Sequence, residues 1–228
     1  EAAPLLARLG DQAARHGGTL VLGIPDYAPD PDDPERYDFL NTAIAVGRGN
    51  GRYVKQRLVP FGEYVPLEGL LRGLIEFFDL PMSHARAGAP DQAPLVADGH
   101  RLAVAICYEI VYPDLVRALA EDVELLVTIS NDTWFGDSIG PSQHLQMARF
   151  RARELARPLL RATNDGITAI VDHRGRETAR LARFVPGVLT GAVEPRTGAT
   201  PFAVTGSWPA VALGIVLVGA GATLRRRS

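Results

Sequence analysis

Short apolar runs alternate with amphipathic segments in the middle of this chain, and that alternation constrains the fold more than any other feature. Residues 102–106 and 125–130 are apolar runs of strand length, and each is followed by a segment with helical spacing, at 112–120 and 141–157. A strand with both faces buried reads as a continuous apolar run, and helices must then cover its sheet. The pattern therefore predicts an α/β fold.

The flanking segments fit the same fold class, because short strands, helices and loops continue to alternate in them. The other predicted elements are helices at 4–15 and 67–78, strands at 19–24, 41–46, 160–163 and 167–172, a hairpin turn at 47–52 that returns as a strand from Tyr53, and loops at 25–36 and 83–100.

The end of the chain differs from the rest. Residues 208–224 form a 17-residue run without a charge, and three arginines follow it. Such a run is at the short end for a transmembrane helix, with Trp208 where an interfacial anchor would lie, and the alternative is a buried core helix. We predict a domain at 1–203, a transmembrane helix at 207–224 and a cytoplasmic basic tail at 225–228.

Lysine is almost missing from the composition. Of the 24 basic residues only Lys55 is a lysine, and the others are arginines. Codon bias explains arginine wherever only a positive charge is needed. A lysine ammonium can be tuned by its surroundings, whereas an arginine keeps its proton. Lys55 is therefore a candidate for chemistry.

The single cysteine, Cys107, directly follows the apolar run at 102–106. From position alone it is either an inert buried thiol or a group at the edge of an active site. Glu109 lies two residues further on, so it projects to the same face if the chain stays extended. A charged residue at that place needs a partner, and Lys55 is the natural one.

Cysteine, lysine and glutamate together can perform nucleophilic catalysis. The thiol must lose its proton before it attacks a carbonyl carbon, and a neighbouring cation stabilises both the thiolate and an oxyanion. A carboxylate can act as the general base. The five histidines have no spacing typical of a metal site or a Cys–His pair, and His144 is interpreted as structural. The net charge of −2 gives no reason to expect a nucleic-acid partner.

Five segments carry a resemblance to a known family. They are KQRLVPFGEYVP at 55–66, AICYEI at 105–110, SNDTWFG at 130–136, MARFRARELARPLLRATNDGITA at 147–169 and TGSWP at 205–209. In this order and spacing the chain resembles the apolipoprotein N-acyltransferases of the nitrilase superfamily. The resemblance implies a nitrilase-like αββα sandwich followed by one C-terminal transmembrane helix.

The resemblance also implies roles for individual residues. Cys107 corresponds to the nucleophile and Lys55 to the lysine of a Glu–Lys–Cys triad. Supporting roles fall to Glu63 in the FGEYVP loop, which would help to position the site, and to Tyr108 and Glu109, which would shape the surroundings of the thiol.

The triad glutamate has only a poor match in this chain. Glu1 is the only candidate upstream of the first predicted helix, and its context is a poor match to the Trp-Pro-Glu motif that the family carries. The chain also starts without Met or a signal peptide. We expect an N-terminally truncated fragment whose triad glutamate precedes Glu1.

The implied reaction moves an acyl chain from a membrane phospholipid to the N-terminal amine of a diacylglyceryl-cysteine apolipoprotein, through a thioester on the cysteine. No metal or organic cofactor is implied. The implied location is the bacterial cytoplasmic (inner) membrane, with the catalytic domain on the periplasmic or extracytoplasmic side.

Three aromatic or apolar residues are candidates for substrate binding. Phe78 and Leu80 follow the FGEYVP loop and would belong to a lid or membrane-dipping arm, or else to a core-facing helix. Trp134 would form a wall of the acyl pocket, or else pack in the core. The arginines between 149 and 161 could touch lipid phosphates, but most are interpreted as solvated helix charges.

Two other functions remain open from the sequence. A membrane-tethered amidase or nitrilase would use the same three residue types to cleave carbon–nitrogen bonds. A non-catalytic binding module would keep the fold but would not need Lys55 and Cys107 in a chain otherwise lacking both residue types.

Overall fold

The structure is a computed structural model that describes residues 2–31, 33, 35–64, 66 and 85–225. Two β-sheets form its centre. The first has three antiparallel strands in the order β1 (Thr19–Pro29), β2 (Tyr37–Gly47) and β3 (Arg52–Val54). The second runs in chain order through β4 (Leu95–Ala97), β5 (His100–Ile106), β6 (Leu125–Asn131), β7 (Leu159–Asn164), β8 (Ala169–Val171) and β9 (Glu177–Arg180).

The three central strands of the second sheet are parallel, and its outer strands are antiparallel. The described helices are α1 (Ala2–Arg15), α2 (Pro113–Leu119), α3 (Gly140–Leu155), α4 (Pro201–Thr205) and α5 (Trp208–Arg225), with short 3₁₀ segments at Cys107–Val111 and Thr133–Phe135.

Alternate residues of the second sheet feed two separate cores. Leu102 and Val104 of β5 pack with Tyr53 of the first sheet, so this core lies between the sheets. Their neighbours Ala103 and Ala105 face helices α2 and α3 in the other core. Helix α1 lies against β2 on the outer side of the first sheet. The order of layers is helix, sheet, sheet, helix, which confirms the predicted α/β class.

The first hairpin is longer than predicted. Residues 25–36 were expected to form a loop, but β1 continues to Pro29, which pairs with Tyr37. Pro25 and Pro29 lack a backbone N–H, and a strand with one unpaired edge tolerates them where that N–H would not be used. Strands β4 and β9 were also missed. The predicted helix at 67–78 lies outside the described residues.

The C-terminal segment forms a helix, α5, at the place predicted for a membrane span. Its apolar side chains up to Val218 are largely exposed, among them Ile215 at 68 %, so it is not a buried core helix. In the part of the chain that the structure describes, no helix has the combination of length and apolar content that a membrane span requires. The predicted transmembrane helix at 207–224 is therefore not confirmed.

Helix α2 contacts the segment that leads into α5. The backbone N–H of Ser207, directly before α5, donates to the Asp114 carboxylate at 3.3 Å, and Nη1 of Arg117 donates to the carbonyl of Ala203 in α4 at 3.3 Å. The hydrogen bonds from Ser207 and the nearby Arg117 guanidinium lower the pKa of Asp114. These contacts, here called the α2–α5 clasp, connect the C-terminal helix to the element that follows Cys107.

Candidate active site

The single lysine lies directly after β3 and is buried, with 1 % of its surface exposed. Its ammonium donates to both oxygens of Glu63, at 2.8 Å to Oε1 and 2.7 Å to Oε2. Burying an ammonium is costly unless it is paired and hydrogen-bonded. Glu63 supplies that partner, so Lys55 and Glu63 form one buried ion pair.

The FGEYVP segment shapes the loop that presents Glu63. The backbone N–H of Glu63 donates to the carbonyl of Val59, and the N–H of Val59 donates back to Oε2 of Glu63 at 2.7 Å. The side-chain amide of Asn41, on β2, also donates to the Glu63 carboxylate. The loop and Asn41 of the first sheet thus hold the Glu63 carboxylate in place beside Lys55.

A second buried carboxylate, Glu109, collects four donors. Oε1 accepts from the Tyr53 hydroxyl at 2.8 Å and from the N–H groups of Gln56 at 2.7 Å and Arg57 at 3.1 Å, and Oε2 accepts from the N–H of Ile106 at 2.8 Å. Gln56 follows Lys55 in the chain, and Ile106 precedes Cys107. One carboxylate therefore joins the lysine segment to the cysteine segment.

Burial has the largest effect on the pKa values of Glu109 and Tyr53. It raises the pKa of Glu109 above its ordinary value, although the four donated hydrogen bonds oppose the rise. Burial, together with the adjacent Glu109 charge, also raises the pKa of Tyr53. The Tyr53 hydroxyl therefore stays a donor to the carboxylate.

The predicted pairing of Glu109 with Lys55 is wrong. Lys55 pairs with Glu63, and Glu109 is bonded to Tyr53 and to backbone N–H groups. The prediction assumed an extended chain after Cys107, but Cys107–Val111 is a 3₁₀ segment, here called the Cys107 turn. The turn redirects Glu109 toward the backbone that follows Lys55.

Cys107 lies where β5 ends and this turn begins. Its backbone φ is +53°, in the left-handed region that non-glycine residues rarely adopt. Its side chain is partly buried and forms no disulfide. The thiol therefore stands at the carboxyl end of a central parallel strand, on a conformation that the surroundings must hold.

A buried polar cluster supports the turn from the helix side of the second sheet. Nε2 of His144, on α3, is 3.1 Å from the carbonyl oxygen of Cys107, and its Nδ1 is 3.1 Å from Oδ1 of Asp132. Asp132 also accepts from Nη2 of Arg161 at 2.7 Å and from the Ser130 hydroxyl at 2.6 Å. The side chains of Asp132 and Arg161 are fully buried.

Charge partners decide the titration of the cluster. Burial would raise the pKa of Asp132, but hydrogen bonds from His144 and Ser130 and the Arg161 charge hold it below its ordinary value. Burial lowers the pKa of Arg161, while the charge of Asp132 and its hydrogen bond act in the opposite direction.

The remaining predicted site residues are more scattered. The ring of Tyr108 meets the Tyr112 ring edge-on at 5.3 Å, and Arg57 lies over that second ring. Trp134 is 78 % exposed, so it does not pack in the core. Glu1, Phe78 and Leu80 lie outside the described residues.

Sequence reasoning missed several supporting residues. Most of the arginines between 149 and 161 were interpreted as solvated helix charges, paired with Glu154 or exposed. Arg151 does pair with Glu154, at 2.8 Å, but Arg151, Arg157 and Arg161 are all buried. Arg157, for example, donates to the carbonyls of Val123 and Gly198. An arginine inside an apolar strand pattern, as at 159–164, was the available signal for Arg161. Across the described ranges, no set of three or more His, Cys, Asp or Glu side chains is arranged to hold a metal ion.

A comparison with protein families matches residues 1–202 to the carbon–nitrogen hydrolase family. Curated relatives are named apolipoprotein N-acyltransferase. The protein from Pseudomonas syringae pv. tomato is 49 % identical over 214 residues, which is 94 % of this chain and 42 % of the relative. The protein from Azotobacter vinelandii is 49 % identical over 98 % of this chain and 43 % of its own length. The chain thus spans about two fifths of the length of these relatives.

Solved structures agree with the fold. A carbon–nitrogen hydrolase from Helicobacter pylori superposes with a TM-score of 0.56 at 16 % identity, covering 79 % of this chain and 63 % of that one. An amidase of the nitrilase superfamily from Nesterenkonia superposes with a TM-score of 0.54 at 23 % identity, covering 82 % and 65 %. At these identities the likeness shows the fold alone.

Proposed function

Because this chain belongs to the carbon–nitrogen hydrolase family, we propose that it is the catalytic part of an apolipoprotein N-acyltransferase in which Cys107 is the nucleophile. The observation that carries the proposal is the Glu109 carboxylate, which joins the segment after Lys55 to the strand before Cys107. The names of the relatives at about 49 % identity support the acyltransferase assignment.

Lys55 stabilises negative charge in this proposal. A buried ammonium held by Glu63 has few competing water molecules, so its charge acts strongly on a thiolate or an oxyanion nearby. Glu63 orients the ammonium and balances its charge. Glu109 and Tyr108 hold and shape the turn that carries the thiol.

The proposed reaction has two halves. The Cys107 thiolate attacks the ester carbonyl carbon of a phospholipid, the carbon–oxygen bond breaks, and a lysophospholipid leaves with the proton that a carboxylate took from the thiol. The amine of a diacylglyceryl-cysteine then attacks the thioester carbonyl. An amide forms, the carbon–sulfur bond breaks, and the carboxylate takes the amine proton.

Exposed apolar residues support a lipid substrate and a membrane location. Trp134, Phe135 and Ile139 lie on one segment, and Phe184 and Val185 on another that Arg183 ties to it through the carbonyls of Gly136 and Ser138. These five residues are here called the Trp134 patch. We propose that the patch receives acyl chains and that α5 contacts the bilayer of the bacterial inner membrane. The membrane span at 207–224 and the acyl-binding roles of Phe78 and Leu80 stay predictions.

The test is a search for the acyl-enzyme in the full chain. Detergent-solubilised protein is incubated with a phospholipid carrying a labelled acyl chain, and mass spectrometry seeks a hydroxylamine-sensitive adduct on the Cys107 peptide. Cys107→Ser is the control, because its hydroxyl would not form a thioester. Absence of the adduct in the wild type would contradict the proposal that acyl transfer proceeds through Cys107.

The second candidate is an amidase. One structural neighbour, an amidase variant from Nesterenkonia sp. AN1, carries the acetamide moiety of fluoroacetamide on its active-site cysteine. Supplying simple amides to the same protein, beside the labelled phospholipid, separates the two activities. Ammonia release from simple amides, without transfer of the labelled acyl chain, would favour the amidase.

A further inference from the structure

The backbone of Cys107 needs an external restraint. A left-handed conformation costs a non-glycine residue on the order of 1–2 kcal/mol, so it persists only where contacts hold it. Glu109 restrains the turn on one side through the N–H of Ile106. That bond fixes the peptide before Cys107 and leaves the carbonyl of Cys107 itself to another partner.

His144 is that partner, and its own orientation is fixed. Nε2 faces the Cys107 carbonyl oxygen and Nδ1 faces a carboxylate oxygen of Asp132, each at 3.1 Å. Nη2 of Arg161 lies 3.1 Å from the same Nδ1. The ring is 4 % exposed, so water does not compete with these contacts. The Cys107 carbonyl oxygen and the Asp132 carboxylate oxygen can only accept, so the ring nitrogen that faces each of them is the donor.

The cluster behind His144 is expensive to bury. Asp132 and Arg161 are fully buried as an ion pair, and within the described residues Nη1 of Arg161 has no hydrogen-bond partner. Well-packed apolar side chains of similar volume are often at least as stable as a buried ion pair. The ion pair costs free energy to bury, and it contacts the His144 ring that faces the Cys107 carbonyl. This placement indicates that the pair orients His144.

We propose that His144 is a positioning residue for Cys107. Its Nε2–H, aimed by Asp132 and Arg161, holds the Cys107 carbonyl and with it the left-handed backbone that presents the thiol. This inference deepens the proposed function and rests on one part of it, the role of Cys107 as the nucleophile. The sequence analysis interpreted His144 as structural. The proposal assigns that structural role to the hydrogen bond from Nε2 to the Cys107 carbonyl oxygen.

Two amide variants of the full chain separate this bond from general packing. The amide nitrogen of His144→Gln reaches the place of Nε2 and can donate to the Cys107 carbonyl. The amide of His144→Asn is shorter, so it stays near Asp132. The readout is the rate of alkylation by iodoacetamide across a pH series, which reports on Cys107 alone because the chain has one cysteine. His16→Asn, at an exposed histidine, is the matched control.

We expect His144→Asn to slow alkylation about tenfold, the effect of losing one hydrogen bond that aligns the thiol, and His144→Gln to stay within about threefold of the wild type. In acyl transfer the loss should fall on kcat rather than KM. Equal alkylation rates in the two variants would overturn the proposal. Alkylation uses no acyl donor, so this result is independent of whether the chain transfers acyl groups.

A measurement without substitution covers the case in which the variants do not fold. Cysteine labelled with ¹³C at the carbonyl marks a single site in this chain, and histidine labelled with ¹⁵N at Nε2 marks the proposed donor. A ¹³C–¹⁵N dipolar coupling in the solid state would support the contact. Its absence would overturn the proposal.

Discussion

Burial makes the exact side chain consequential at each position of the site. Lys55 and Glu109 are almost without solvent exposure, and each forms hydrogen bonds with named partners. A substitution that keeps the charge but changes the shape, or keeps the shape but changes the donors, leaves a buried group without a partner. Rarity in the composition identified Lys55 and Cys107 from sequence, but it carried no information about these partners.

The first prediction concerns the shape of the cation. Lys55→Arg keeps a positive charge, but the planar guanidinium is larger than the ammonium and has no equivalent compact position beside Glu63. We expect kcat/KM for acyl transfer to fall by about 10²-fold or more, as when an oxyanion donor is lost. Arg48→Lys, at an exposed arginine paired with Asp98, should leave kcat/KM unchanged. Wild-type activity in Lys55→Arg would show that the ammonium is not required.

The second prediction concerns Glu109, whose carboxylate accepts from four donors. In Glu109→Gln an NH₂ group must face at least one of these donors. We expect a loss of about 1–3 kcal/mol in the free energy of unfolding, the cost of unpaired buried donors. Urea denaturation gives this value, with Glu121→Gln at an exposed position as control. Equal midpoints for the two variants would contradict the prediction.

At the scale of elements, the site lies where regular structure stops. The apolar runs predicted β5 and β6 correctly, and β7 contains the strand predicted at 160–163. The carboxyl ends of these parallel strands carry Cys107, Asp132 and Asn164. Periodicity could not predict the Cys107 turn, because five residues of 3₁₀ helix have no repeat of their own. It also could not pair Tyr53 with Glu109 across 56 residues of chain.

The third prediction concerns the acid stability of this junction. Asp132 joins β6, β7 and α3, and its folded-state pKa lies below the ordinary value of an aspartate. The carboxylate therefore contributes stability that is present above its unfolded pKa and is lost as the pH falls through the folded pKa. In Asp132→Asn the free energy of unfolding should depend less steeply on pH below about 5. Urea titrations between pH 6 and 3 measure this slope.

The control for that measurement is Asp137→Asn, whose side chain is 96 % exposed. It should reproduce the wild-type slope, because within the described residues Asp137 forms one ion pair, a long one of 3.9 Å to Arg183. A wild-type slope in Asp132→Asn would mean that the cluster does not depend on the charge of Asp132.

For the whole molecule, the described residues present an α/β domain with a separate apolar surface. The layers follow from the sequence pattern, because alternate residues of each strand feed different cores. The Trp134 patch was only partly predictable, since Phe184 and Val185 lie 50 residues after Trp134 and join the patch through Arg183. Such contacts depend on tertiary structure and leave no local signal.

The fourth prediction tests that surface. The double variant Trp134→Ser and Phe184→Ser should reduce binding to phosphatidylcholine–phosphatidylglycerol vesicles several-fold without changing the melting temperature, because both side chains are already exposed. Leu5→Ser, an exposed apolar residue of α1, is the control. Vesicle co-sedimentation gives the bound fraction. An undiminished bound fraction in the double variant would exclude the patch as a lipid contact.

The α2–α5 clasp has a mechanical consequence. Only Tyr112 and Pro113 separate the end of the Cys107 turn from Asp114, which receives the N–H of Ser207 at the foot of α5. A displacement of α5 would therefore act first on α2, the short helix that follows the Cys107 turn.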